Sequence, residues 1–302
     1  MIPLFDLHCD TLVKAYEENY SIFSNSPLHL SFDKASHFSP FIQIMAIWTN
    51  DRLSDFEGFY QCLNIIKWAN KINLPLVEDF NKLSSFSLIL SIEDARIIEN
   101  DLSRIDLLYN QKVRLITPVW KDASVIGGAW NTNIGLSDFG KNAISHMLEL
   151  GIVVDVSHSS KRTFYEILDL CKEYNCIPVA THSNSFSMCN HPRNLTENQI
   201  YSLLDLNSII GISLAPEHLS SNHHACIDDV IRHIDHYLSL GAENSICLGC
   251  DFDGISSLPT GIKDVSSLSI LFEKLYKLYG DTIVNKIFYG NSYRFFSKNQ
   301  LQ

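Results

Sequence analysis

The sequence predicts an α/β fold, a single parallel (β/α)8 barrel of the TIM type over residues 1–302, on two observations. Short apolar runs alternate with helix-like amphipathic stretches eight times along the chain. Polar and ionisable residues recur where those runs end, and a parallel barrel carries its active site at the C-terminal ends of its strands.

The expected strands are Pro3–Leu7, Phe41–Trp48, Ser87–Ile92, Val113–Val119, Ile152–Val156, Ile177–Thr181, Ser208–Leu214 and Ser245–Gly249. Several are continuous rather than alternating, as strands covered on both faces require. Between them the helices announce their starts. Thr196-Glu197-Asn198-Gln199 is a capping box opening Ile200–Leu204. Ser159 or Ser160 can cap the helix through Phe164, Ile167 and Leu168. Asp138 can cap the segment through Ile144, Met147 and Leu150, and Gly151 stops it. The stretch from Thr49 to Phe86 is expected to hold one helix, Phe56–Ile72, and additional loop. No repeat, low-complexity tract or linker divides the chain.

Composition narrows the function classes. Hydrophobic residues make up 46% and charged residues 19%, enough for a sizeable core and unlike a disordered chain. A formal charge of −11 without a basic patch argues against a nucleic-acid partner. No apolar run approaches the roughly 18 residues of a membrane span. The N-terminus, Met1-Ile2-Pro3-Leu4-Phe5-Asp6, lacks the basic and apolar regions of a secretory signal, so no membrane partner and a cytoplasmic location are expected. The eight cysteines in a chain of this length read as small buried hydrophobes rather than a disulfide scaffold. Cys247-Leu248-Gly249-Cys250 matches CxxC but lies inside an expected strand and has no second pair, so a structural role is expected.

The strand ends, in order, offer His8-Cys9-Asp10, Glu93, Trp120, His158, His182 and Asp251-Phe252-Asp253-Gly254. In His8-x-Asp10 alternation puts the two side chains on one face, where imidazole nitrogen and carboxylate oxygen suit a divalent ion such as zinc. Alone the pair also fits a hydrogen-bonded histidine and a helix-capping aspartate. Glu93 ends Ser87–Ile92 and competes with Asp94 for a capping role, yet a carboxylate is the group that can bridge two metals. His158 and His182 sit at the mouths of successive strands. A lone histidine there is commonly structural, but their recurrence with His8, Asp10 and Glu93 argues for a shared site.

Asp251 at the eighth strand end can exchange protons with water and a leaving amine, while Asp253-Gly254 reads as a turn. Arg193, in the loop Asn190-His191-Pro192-Arg193-Asn194, suits bidentate capture of a substrate carboxylate or a surface salt bridge equally. The remaining histidines, among them His223, His224, His233 and His236, fall on expected helices or loops as solvated or capping residues.

Together these segments resemble the membrane (renal) dipeptidase family of zinc metallopeptidases, a branch of the metal-dependent amidohydrolase barrels. The similarity lies in Phe5-Asp6-Leu7-His8-Cys9-Asp10-Thr11, Asp155-Val156-Ser157-His158, Thr181-His182-Ser183-Asn184, His191-Pro192-Arg193-Asn194-Leu195-Thr196, Gly249-Cys250-Asp251-Phe252-Asp253-Gly254 and Gly290-Asn291. It spans residues 5 to about 296.

The resemblance implies a barrel of the metal-dependent hydrolase kind with two zinc ions. His8 and Asp10 would hold one, His158 and His182 the other, and Glu93 would bridge them. Arg193 would bind the terminal carboxylate of a dipeptide and Asp251 would handle protons. The implied reaction is attack on the peptide carbonyl by a hydroxide bridging the two zinc ions. One departure stands out: some members carry a substrate-facing histidine, thought to stabilise the oxyanion, where this chain has Trp120, with its single N–H donor and no charge. Trp120 is therefore expected to bear on substrate choice and rate. A related amidase, lactamase or deaminase on another small amide, and a metal-binding barrel without turnover, are the alternative readings. Homodimers are common among such barrels and stay open here.

Overall fold

The structure is a computed structural model that describes residues 1–222 and 224–298. Its strands are β1 (Ile2–Cys9), β2 (Phe38–Trp48), β3 (Phe86–Glu93), β4 (Val113–Thr117), β5 (Val153–Val154), β6 (Ile210–Ile212) and β7 (Ile246–Leu248). All pair in parallel, in the order β5-β4-β3-β2-β1-β7-β6.

The gap between β5 and β6 is closed by the apolar run 177–181. Val156 N–H donates to the Val179 carbonyl at 2.8 Å, and Ala180 N–H donates to that of Ile209 at 3.0 Å. Single bridges pair Asp155 with Val179 and Ala180 with Ile210, so an eighth stave completes the barrel. A Cβ on Gly211 or Gly249 would overlap the Thr181 carbonyl oxygen. Both positions therefore require glycine, since the chains approach too closely there for any side chain.

Inside the barrel Phe5, Leu7, Ile42, Ile44, Ile89, Leu115, Val153 and Val179 form a buried cluster. The helix Asn291–Lys298 joins it through Phe295 and Phe296, with Phe296 stacked on Phe5 at 5.3 Å between ring centroids. A larger cluster lies between strands and helices. Its aliphatic side chains each contribute roughly 1.5–3 kcal/mol by leaving water, which fixes the mouth-side strand ends against a rigid frame.

The helix starts follow local chemistry. Ser160 caps Lys161–Glu173, and Thr196 and Gln199 form the expected capping box before Glu197–Asp205. The helix in the long second connection is Asp55–Lys71, opened by a Ser54–Glu57 capping box. One start shifts by a residue. Ser137, not Asp138, caps Asp138–Glu149, its Oγ accepting from Gly140 N–H. Adjacent Ser and Asp are both good caps, and the serine also donates to the Val125 carbonyl. All eight cysteines are free and seven are buried. Among the described residues no helix is long and apolar enough to cross a membrane.

Candidate metal centre

Several of the expected site residues reach the C-terminal mouth by local devices of their own. By alternation from Phe5 and Leu7, His8 would face the helices. A register shift between Asp6 and Cys9 in the pairing with β2 coincides with its turn into the mouth. Asp10 precedes the helix Thr11–Glu17 but makes no side-chain capping bond. Glu93 continues the inward row of Ile89 and Ser91 on β3. Asp94 takes the capping role instead, accepting from Arg96 N–H and pairing with its guanidinium Nε at 3.2 Å. His158 and Asp251 have φ of 65° and 61°, left-handed backbone that a side chain adopts at a cost and that recurs at functional sites.

These turns converge on Glu93. Its Oε2 lies 3.6 Å from His8 Nε2, and its Oε1 lies 3.0 Å from His158 Nε2 and 3.4 Å from His182 Nε2. His8 Nε2 is 3.4 Å from Asp10 Oδ2 and 4.0 Å from Asp251 Oδ1. Asp10, Glu93 and Asp251 are all buried.

The hydrogen-bond pattern sets the histidine tautomers. Among the described residues His158 Nδ1 has only the Trp120 carbonyl, an acceptor, at 3.1 Å, so Nδ1 carries the hydrogen. Thr181 Oγ1 donates to Asp155 Oδ2 at 2.6 Å and therefore accepts from His182 Nδ1 at 2.7 Å. Both Nε2 atoms then present lone pairs, yet they stand 2.8 Å apart beside a carboxylate oxygen. Among the described residues, His8 Nε2 and Asp10 Oδ1 are buried without a hydrogen-bond partner. Facing lone pairs and unpartnered polar atoms in a buried site are unfavourable unless a cation lies among them. The donor set of imidazole nitrogen and carboxylate oxygen suits zinc or a similar divalent ion.

Charge coupling agrees. Burial alone would push the Glu93 carboxyl up, but His8, His158 and His182 outweigh it and hold it well below the usual range. Burial would lower His8, and the Glu93 and Asp10 carboxylates instead hold it well above the ordinary imidazole value. Burial, aided by Asp10 and Glu93, keeps the Asp251 carboxyl well above the usual range.

The surrounding residues divide by location. A cavity of about 300 Å³ above the cluster is lined by Asp10, Glu93, His158, Asp251, Trp48 and Trp120, among others. Arg193 lines a neighbouring cavity of about 150 Å³ that shares His158 with the first. Its Nη1 donates to Ser183 Oγ at 3.1 Å and its Nη2 to the His182 carbonyl at 2.9 Å, while Nε has no partner among the described residues. Burial lowers the guanidinium to about 10, still a cation at neutral pH. Asp253 sits in a turn and accepts from Thr11 Oγ1 at 2.6 Å and His29 N–H at 2.8 Å, tying the first loop to the last.

Three contributors lie outside the sequence-based set of site residues. Trp48 ends the second apolar run on the same strand face as Ile42 and Ile44, which was its only signal. Asp155 is fully buried beneath the histidines. Gly254 has no room for a Cβ against Asp10 Oδ2 and Asp251 Oδ1. Of the other histidines, His233 is fully buried rather than solvated, because Ser185 N–H and the Leu219 carbonyl occupy its two ring nitrogens. His223 lies outside the described residues.

Fold and donor set together define a class, the metal-dependent hydrolase barrels. The chain belongs to the membrane dipeptidase family (peptidase family M19), whose model matches residues 1–302. It is 29% identical over 218 residues to an uncharacterized protein in the pqqA 5′ region of Klebsiella pneumoniae, covering 68% of this chain and 79% of that protein. It is 32% identical over 264 residues to an uncharacterized dipeptidase of Schizosaccharomyces pombe, covering 79% of this chain but 63% of that protein's length.

Among solved structures, dipeptidase AC, a metallopeptidase of family M19, superposes with a TM-score of 0.90 at 22% identity over 99% of each chain. A metallopeptidase from Rhodobacter sphaeroides, liganded with a phosphinate mimic of the dipeptide L-Ala-D-Ala, gives 0.88 at 22% identity, again over 99% of each chain. At these identities the two structures speak to the fold alone.

Proposed function

We propose that the chain hydrolyses dipeptides bearing a free C-terminal carboxylate, using two zinc ions. The observation that carries the reading is Glu93, with one carboxylate oxygen towards His8 and the other towards His158 and His182. His8 and Asp10 would hold one ion, His158 and His182 the second, and Glu93 would join both. When bound, such ions supply Lewis acidity at the scissile carbonyl and lower the pKa of water.

The chain's own groups do the rest. Asp251, buried beside the cluster, accepts the proton of the attacking water and passes it to the departing amine. Arg193, held by Ser183 and the His182 carbonyl, receives the substrate carboxylate and so sets the distance from that carboxylate to the scissile bond. The burial of Glu93 and Asp251 limits bulk water around the transferred proton. The dipeptide mimic bound by the Rhodobacter sphaeroides relative is in keeping with a substrate of this size.

The test offers the metal-loaded protein free-acid dipeptides beside their C-terminal amides and unrelated small amides. Turnover concentrated on the free acids supports the reading. Equal turnover of the amides would remove Arg193 from its role, and turnover of the unrelated amides alone would move the substrate class.

A further inference from the structure

We infer that Trp48, with Trp120, forms the subsite for the side chain of the substrate's N-terminal residue and selects large apolar or aromatic side chains there. This rests on the dipeptidase reading above. Trp48 is the last residue of β2 and pairs in register with Glu93 across the β2–β3 ladder. A residue in that register stands beside the carboxylate at the centre of the metal cluster.

The two indoles meet edge to face, with centroids 5.0 Å apart and planes at 65°. Edge-to-face contact of this kind adds to the buried area and holds the two half-buried rings as one surface. The Trp120 carbonyl also accepts from His158 Nδ1, so the wall is anchored to the site it flanks. Val13 extends the apolar side of the same cavity.

Direction follows from Arg193. It lines the second cavity and not this one, and the two cavities share His158. A dipeptide with its carboxylate on Arg193 and its amide at Glu93 and His158 directs its N-terminal residue into the cavity of Trp48. An indole surface offers glycine little to desolvate. Glu17 and Glu18 at the same cavity repel an acidic side chain, and Lys14 beside them is paired with Asp253 at 3.4 Å.

The experiment measures kcat/KM for Phe-Ala, Leu-Ala, Lys-Ala, Gly-Ala and Asp-Ala on the metal-loaded wild type and on Trp48→Ala and Trp48→Phe. Bound metal is determined for each protein. In the wild type Phe-Ala and Leu-Ala should exceed Gly-Ala and Asp-Ala by about tenfold or more, and Lys-Ala should fall below Phe-Ala. Trp48→Ala should compress the Phe-Ala to Gly-Ala ratio by about tenfold, mainly through KM, and Trp48→Phe should keep most of it.

A flat wild-type series, a preference led by Lys-Ala, or an unchanged ratio in a metal-replete Trp48→Ala would overturn the inference. Should Trp48→Ala lose metal, the ratio decides in Trp48→Phe: a value near the wild type's supports the aromatic wall, and a flattened one overturns it. No hydrolysis of any member by the wild type overturns the dipeptidase reading itself, whereas uniform hydrolysis overturns only the role of Trp48.

Discussion

Asp155 Oδ2 accepts the Thr181 hydroxyl at 2.6 Å, and that bond decides which nitrogen of His182 faces Glu93. Because the hydroxyl hydrogen is committed to Asp155, Thr181 Oγ1 can only accept from His182 Nδ1. Asp155 is itself held by the N–H groups of Ser157 and Thr181 at 2.9 Å and by Thr117 Oγ1 at 2.7 Å. Asp155→Asn can donate where the carboxylate only accepts, so the chain of polarity to His182 is disturbed. Metal affinity should fall by about 10–100-fold, read by competition with a chromophoric chelator. An unchanged affinity would show that the His182 orientation is set elsewhere.

Gly254 is pressed against two carboxylates. A methyl group there would overlap both Asp10 Oδ2 and Asp251 Oδ1. Gly254→Ala should therefore displace Asp10 first and lower bound metal from about two equivalents towards one, measured by elemental analysis. Full occupancy in this variant would mean that the loop yields without moving Asp10.

Arg193 presents a charged guanidinium whose Nη atoms are already oriented by Ser183 and the His182 carbonyl. Losing a charge-assisted contact of about 1.5–3 kcal/mol should raise KM for free-acid dipeptides roughly 10–100-fold in Arg193→Ala. C-terminally amidated dipeptides should change much less. A parallel loss on both would assign the arginine to holding the loop instead.

His233 gives a pH dependence with a definite sign. Its Nδ1 accepts from Ser185 N–H and its Nε2 donates to the Leu219 carbonyl, so the native loop needs the neutral ring. Burial lowers its pKa to about 4. The unfolded chain takes up a proton near 6.5, so the contribution is complete above about pH 6.5 and is lost as pH falls towards 4. At full size it is on the order of 3 kcal/mol. His233→Gln should flatten the fall in Tm between pH 6.5 and 4 relative to wild type. An identical slope would place the acid sensitivity elsewhere.

Much of the architecture was legible because barrel strands are buried on both faces and read as continuous apolar runs. Even residues 177–181, which pair by single bridges, stand out in this way. The site was legible because polar residues at apolar strand ends are conspicuous, as with His158 after Val156 and Glu93 after Ile92. Trp48 was hidden by the reverse: an aromatic ending an apolar run reads as core, and only the cavity shows that it faces the site. His233 lies on the helix Ile227–Ser239, where its burial depends on the distant Ser185 loop folding over it. Such contacts between residues far apart in sequence leave no local pattern.

The dipeptidase reading has Glu93 join two metal sites that together cleave dipeptides. Its most direct test is hydrolysis of L,L- and L,D-dipeptides by purified protein, before and after chelation and during stepwise return of zinc. Activity that vanishes with the metal and returns fully at about two equivalents is the predicted result. Activity that survives complete chelation, or a protein that binds no metal at all, would contradict it.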